Sequence, residues 1–232
     1  MSNIYAGSTT TTALITTGDT SGNLVLQTGS TPTTAMTINS SQIVNFANAP
    51  TVGGAPLPSG AMTLISTQTT ISGTTSLSWS GLDNTKNYLI LFSNICPVTG
   101  GSHLLLRTGN FGGTFYTSGY YQNAYANEYG TTYPFTTTND VGIYLDGGLG
   151  VSTSATGGGV GISGSAYITN GSVGNYSNIT YNSYFLIGNS STTSNSVGGG
   201  NCASGGQQSF QLLFSSGNMS PNGIASLYQI NK

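Results

Sequence analysis

Five side-chain carboxyl groups, one imidazole and two thiols are the few groups in this chain of 232 residues best suited to acid–base or metal chemistry near neutral pH. The only histidine, His103, stands beside a Leu-Leu-Leu run, where a face turned to solvent or to an interface is expected rather than a general base. One histidine at arbitrary spacing defines no Ser-His-Asp set. Glycosidases need two placed carboxylates. Asp19 falls in a Thr-rich leading segment, Asp83 in a Gly81-Leu-Asp-Asn turn where Asp favours the bend itself, and Asp140 and Asp146 flank one strand and are expected to cap its ends. Glu128 is the fifth. Asn139, Asp140 and Asp146 offer oxygen ligands of the kind that suit Ca²⁺, but without EF-hand-like spacing, so a turn role is expected there. Cys96 and Cys202 lack a CxxC partner or a nearby His and are expected as buried free thiols. Gly157–Gly159 and Gly198–Gly200 carry no Gly-Lys-Ser/Thr ending and are not phosphate loops. No catalytic residue, metal or cofactor is expected.

The patch with chemical content is aromatic. Tyr116, Tyr120, Tyr121, Tyr125, Tyr129 and Tyr133 crowd into 18 residues with Asn123, Asn127 and Glu128. Tyrosine presents a rigid face and a polar tip at small entropic cost, sugars offer CH faces to stack on it, and Asn and Glu can bond sugar hydroxyls. A glycan or surface-receptor contact made by this loop region is one reading of Tyr116, Tyr120, Tyr121, Tyr125, Asn127, Glu128, Tyr129 and Tyr133. The other is that these tyrosines pack between subunits or cover a sheet edge.

The elements that must position them are β-strands. Charged residues make up 3% of the chain, against about a quarter in an ordinary soluble domain. Thirty-five glycines and an abundance of Ser, Thr and Asn disfavour helices, while 36% hydrophobic residues and 14 tyrosines argue against disorder. Three basic residues form no phosphate-binding surface, so no nucleic-acid partner is expected. No apolar run approaches the roughly 20 residues of a spanning helix, so no membrane insertion is expected. Met1 to Tyr5 carry neither a basic nor an apolar leader region, so no Sec signal is expected, although the composition is that of a protein working in the open environment.

Four segments follow. Residues 1–20 read as an N-terminal attachment segment. Residues 21–48 hold short strands at Asn23–Thr28, Ala35–Ile38 and Gln42–Phe46, each with two or three apolar residues. Such strands bury little alone, so three copies are expected to wrap around one axis, with Leu24, Leu26, Met36, Ile38, Ile43 and Phe46 inward. Residues 49–60 hold three prolines and three glycines and read as a linker or collar. Residues 61–232 read as a β-sandwich. Met62–Ile71 and Ser76–Trp79 suggest a hairpin about Gly73, with Trp79 in the core. Asn87–Ser93 suggests a central strand. Further strands are expected at His103–Thr108, Val141–Leu145, Ser163–Ile168, Ile179–Ile187, Ser209–Phe214 and Ile224–Ile230. Eight or nine strands over about 170 residues suit a jelly-roll-like sandwich. The expected fold is therefore all-β and homotrimeric: a short intertwined N-terminal β stalk followed by a jelly-roll-like β-sandwich.

Ser21 to Gly29 (SGNLVLQTG), Ala35 to Asn39 (AMTIN) and Ile43 to Phe46 (IVNF) together resemble the shaft repeat of bacteriophage tail fibres. Leu64 to Thr69, Gly81-Leu-Asp, Asn87 to Ile95, Leu104 to Thr108 and the ending Phe214 to Met219 with Leu227-Tyr resemble a C-terminal domain of tail-fibre-like proteins of marine and cyanobacterial phages. The likeness covers residues 20–48, 62–108 and 209–230; residues 109–208 share only a Gly/Ser/Tyr-rich character. It implies a homotrimeric virion protein, made in the host cytoplasm and released by lysis. Its N-terminus would join other virion proteins and its C-terminal domain would face the host surface. One shaft unit where the family has many implies a short fibre, spike or knob. A capsid-decoration or collar protein that stabilises the particle is the alternative, and a polysaccharide depolymerase a minor one.

Overall fold

The computed structural model describes residues 15–18, 24–28, 31, 33–39, 41, 44–46, 51–52 and 55–56. From residue 62 onward it describes all but 154–159, 171–176, 189–191, 204–206 and 231–232. No helix occurs among the described residues. The chain forms two compact units, Met1–Ser59 and Gly60–Lys232.

In the first unit, β1 (Ile15–Gly18), β2 (Leu24–Thr28), β3 (Thr33–Ile38) and β4 (Val44–Phe46) form one antiparallel sheet in chain order. β5 (Thr51–Val52) and β6 (Ala55–Pro56) pair with each other. Met36 and Ile38 on β3 are half-buried within the single chain, and Val44 is exposed. Leu24, Leu26 and Phe46 fall on strands, but their side chains lie outside the described residues, as does the whole of Ile43.

The second unit is two antiparallel sheets packed face to face, a β-sandwich. Its strands are β7 (Met62–Thr69), β8 (Ser76–Trp79), β9 (Asn87–Ile95), β10 (Leu104–Gly109), β11 (Tyr120–Glu128), β12 (Thr131–Asp140), β13 (Ile143–Tyr144), β14 (Ile162–Thr169), β15 (Ser177–Leu186), β16 (Thr193–Cys202), β17 (Ser209–Phe214) and β18 (Ile224–Ile230). The large sheet runs β12-β11-β16-β15-β14-β9-β18-β7 and the small one β13-β10-β17-β8. Period-two alternation drives the layering. Tyr88, Ile90 and Phe92 of β9 and Ala225 and Leu227 of β18 face Leu77 and Trp79 of β8 and Phe210, Leu212 and Phe214 of β17 in one core. Tyr88 and Phe210 meet edge to face across the layers at 5.3 Å.

Polar staples also join the sheets. The Gln68 side chain bonds both the N–H and the C=O of Ser78, and the Trp79 indole donates to Ser66 Oγ at 2.9 Å. Gln122 does the same for Tyr144, donating from Nε2 to its carbonyl at 2.8 Å and accepting its N–H at 2.8 Å. Each amide completes ladder bonds that a sheet edge would otherwise leave open.

Two sequence expectations are corrected. Met62–Ile71 and Ser76–Trp79 are no hairpin: β7 belongs to the large sheet and β8 to the small one. The turn at Gly73 is a corner between layers, because the buried faces of the two strands must meet one core from opposite sides. The Tyr-rich stretch is not a loop region either. It forms β11 and the start of β12, paired from Tyr120↔Asp140 to Glu128↔Thr131.

Candidate functional site

The outer face of the large sheet falls into two halves. Strand register places Thr67, Ser226, Leu91, Ser165, Asn182, Val197, Tyr125 and Pro134 in a single row across all eight strands. A parallel row on the β7 side runs Leu64, Tyr228, Leu89 and Tyr167. On that side Leu64 and Leu91 are 52% and 41% exposed. On the β12 side the face is Asn, Ser and Thr with exposed aromatics: Tyr121, Tyr125 and Tyr184.

Alternation sorts the eight sequence-selected residues. Tyr121 and Tyr125 point outward and are exposed; Asn127 shares their parity on β11. Tyr129 stands at the hairpin tip, 82% exposed. Tyr120, by contrast, is fully buried; its hydroxyl lies 2.7 Å from the Thr108 N–H, which donates to it. Burial pushes its phenol pKa up. It is a core residue and no part of a receptor surface. Tyr116 is half-buried and packs against the same core. Glu128 has the parity of the inward residues of β11, and Tyr133 pairs with the buried Ala126, so both lie on the opposite side of the sheet from Tyr125. The structure thus keeps Tyr121, Tyr125, Asn127 and Tyr129 together and separates Tyr116, Tyr120, Glu128 and Tyr133 from them.

Tyr184 was absent from the sequence-selected set. It is 64% exposed on β15, in the row Tyr184–Asn195–Asn127–Thr132. Period-two alternation through Asn178, Thr180 and Asn182 was the signal that could have placed it on the solvent side. Tyr184, Asn195, Asn127, Tyr129 and Gly130 line a surface cleft of about 160 Å³ with Thr193 and Ser194.

The second missed feature is a histidine–carboxylate pair. His103 Nδ1 sits 2.8 Å from Oδ2 of Asp146, which is fully buried and also accepts the Gly150 N–H. Its other oxygen, Oδ1, is buried with no hydrogen-bond partner among the described residues. Asp146 is therefore not a simple strand cap. Asp83 does shape its own turn, accepting from the Thr85 N–H and hydroxyl. Asp140 accepts the Val141 N–H and the Tyr144 hydroxyl. The Tyr144 ring packs edge to face on both His103 and Phe135. No hydroxyl or thiol bonds the His103 ring among the described residues.

The hydrogen bond to Asp146 holds the His103 pKa above its ordinary 6.5, against the opposing effect of burial, with the charges of Asp146 and Asp140 adding to the rise. A raised folded value means that the stabilisation is fully present below about pH 6.5 and is lost as pH climbs through the folded value. The Tm advantage of the parent over His103→Gln is expected to be largest near pH 5.5–6 and to shrink toward about pH 8. A constant advantage across that range, read by calorimetry, refutes a role for the ion pair.

Cys96 and Cys202 are both buried and unpaired. Among the described residues no three His, Cys, Asp or Glu side chains cluster closely enough to hold a metal. Among those residues no helix is long and apolar enough to cross a membrane. No protein-family model, no curated protein and no solved structure matches the chain significantly.

Proposed function

We propose that this chain is a non-enzymatic phage virion protein, a homotrimeric short fibre or spike that contacts a glycan or receptor on the host surface. The observation that carries the reading is the division of one sheet face into an apolar half and an uncharged Tyr/Asn half. The apolar half centres on the exposed Leu64 and Leu91 with the half-buried Leu89, Tyr167 and Tyr228 beside them, a contiguous apolar area that a second surface can cover. It is buried between copies of the chain. Beside it, the aromatic half carries no charge and suits a neutral, hydroxyl-rich surface.

Two further features support the reading. The N-terminal sheet bears the residues that resemble a fibre shaft and forms its own compact unit. In the second unit, β7, β18, β9 and β14 in one sheet and β8, β17, β10 and β13 in the other follow jelly-roll connectivity, into which the strands β11, β12, β15 and β16 are inserted.

The test separates the two halves. Leu64→Glu with Leu91→Glu is expected to turn a trimer into monomers in sedimentation velocity while the sandwich still melts cooperatively, because both side chains are exposed in the single chain. Tyr121→Ala with Tyr125→Ala is expected to weaken adsorption to host cells at least tenfold and leave the trimer whole. A monomeric parent defeats the trimer. Adsorption unaffected by the tyrosine pair, with particles that fall apart when the protein is removed, favours a decoration protein instead.

A further inference from the structure

The hairpin tip at Tyr129 is unusual for its residue. Glu128 and Thr131 pair, so Tyr129-Gly130 is a two-residue loop, and both residues have positive φ, 46° and 81°. That is the pattern of a type I′ turn, whose first position favours Asn, Asp or Gly. A bulky side chain in the left-handed region is strained. Tyr129 buries almost nothing in return, being 82% exposed. Neither backbone preference nor packing selects tyrosine here, and a residue held in such a sparsely populated conformation points to a functional constraint.

Across the cleft stands Tyr184, 64% exposed. Between the two rings lie the amides of Asn127 and Asn195, adjacent across β11 and β16. Asn127 Oδ1 accepts the Thr132 hydroxyl at 2.7 Å, so its NH₂ donors have no partner among the described residues. The side chain of Asn195 has none either among those residues. No charged side chain lines the cleft. Two aromatic walls with amide groups between them fit the CH faces and hydroxyls of one neutral sugar ring.

Tyr184 and Thr193 also line a second cleft, again of about 160 Å³, toward β14, where Ser163 is the register partner of Tyr184 as Asn195 is on the β16 side. Its walls are Val160, 56% exposed, with Gly161, Ser163, Phe185 and Leu186, and among the described residues it too has no charged and no amide side chain. A sugar unit seated there meets aliphatic surface.

We infer that these two clefts are consecutive subsites of one oligosaccharide groove. The first takes a neutral hexose between Tyr129 and Tyr184. The second takes a neutral sugar that presents a methyl group, either a 6-deoxyhexose or an N-acetylhexosamine, to Val160 and Leu186. This rests on the surface-contact reading above and supplies its ligand class.

The experiment is saturation-transfer NMR and titration of the full chain with four disaccharide types. They are fully hydroxylated neutral, 6-deoxy, N-acetyl and uronic-acid-containing. The methyl-bearing sugars are expected to bind roughly tenfold more tightly than the hydroxylated parent, and the uronic acid not to bind; which methyl wins distinguishes the two sugar classes. Tyr184→Ala is expected to abolish binding of all. Val160→Asn is expected to erase the methyl preference and keep hexose binding. Tyr129→Asn installs the favoured turn residue, so it is expected to match or exceed the parent in Tm and still lose at least fivefold in affinity. Equal affinity in Tyr129→Asn and Tyr184→Ala, preference for the uronic acid, or no neutral sugar bound overturns the groove. Host-cell adsorption is measured in parallel. Adsorption that depends on Tyr121 and Tyr125 without sugar binding defeats the groove alone, and sugar binding without adsorption defeats the virion reading alone.

Discussion

Gly198→Val is expected to lower the stability of the C-terminal unit by about 3 kcal/mol or more, a fall in Tm of about 6–12 °C. Gly198 sits on β16 between Tyr181 of β15 and Ala124 of β11. A Cβ there would lie 2.7 Å from the Ala124 methyl and 2.8 Å from the Tyr181 hydroxyl. Real Cβ atoms do not approach neighbours so closely, so the Tyr181 ring must leave its place. That ring is part of the core; burial pushes its phenol up to about 12, and its hydroxyl accepts from Gln122. The glycine run is thus a slot that lets a large ring lie against bare backbone. Its neighbour is the control. Gly199 faces outward with Thr180 Cγ2 3.6 Å from an added Cβ and its tightest neighbour, the Ile179 carbonyl, at 3.2 Å, so Gly199→Ala is expected to cost less than about 1 kcal/mol. Thermal melts of both variants decide the matter; equal melting temperatures refute the slot.

Gln122→Leu is expected to cost about 3–5 kcal/mol. The glutamine is buried in a layer otherwise filled by Tyr120, Ala124 and Ala126. Leucine keeps the bulk and removes every bond. The Tyr144 N–H loses its partner, while its C=O keeps the 3.3 Å bond from the Gly147 N–H and the Tyr181 hydroxyl keeps Ser196 Oγ. The buried group left unsatisfied costs about 1–3 kcal/mol and each of the other two lost bonds about 0.5–1.5 kcal/mol, and all three bonds share one side chain. Urea unfolding reads the loss as a lower midpoint at unchanged slope. A change under 1 kcal/mol would mean that water reaches the Tyr144 backbone. Because β13 is only two residues long, the same variant is expected to speed amide exchange at Tyr144 before global unfolding.

Legibility in the sequence followed the buried face. Strands whose inward positions are large aliphatics or aromatics, such as Ser76–Trp79, Ser209–Phe214 and Ile224–Ile230, were readable at their ends as well as in kind. β11, β12 and β16 were not. The inward residues of β11 and β16 include Gln122, Ala124, Ala126, Ser194 and Ser196, small or polar groups that leave no hydrophobic period to detect, and on β12 Pro134 interrupts the inward pair Tyr133 and Phe135. What fills that part of the core comes from elsewhere, from Tyr181 lying on Gly198 and from the Ile143–Val151 segment. Leu145, for instance, accepts the Ser183 hydroxyl through its carbonyl. The same inversion hid the site. On β11 Tyr121 and Tyr125 face water while Ala124 and Ala126 face in, and proximity in sequence grouped the inward Tyr120 with Tyr121 although the pleat sends them to opposite sides. The His103–Asp146 pair, 43 residues apart, needed the β10–β13 pairing to bring it together.

The strands β11, β12, β15 and β16 keep their structural obligations on one parity and their exposed tyrosines and asparagines on the other. Every second position there is consequently released from folding duty. Residues such as Tyr121, Tyr125, Asn182 and Tyr184 can therefore be rewritten freely, and the hidden half of each strand holds the architecture constant while they change.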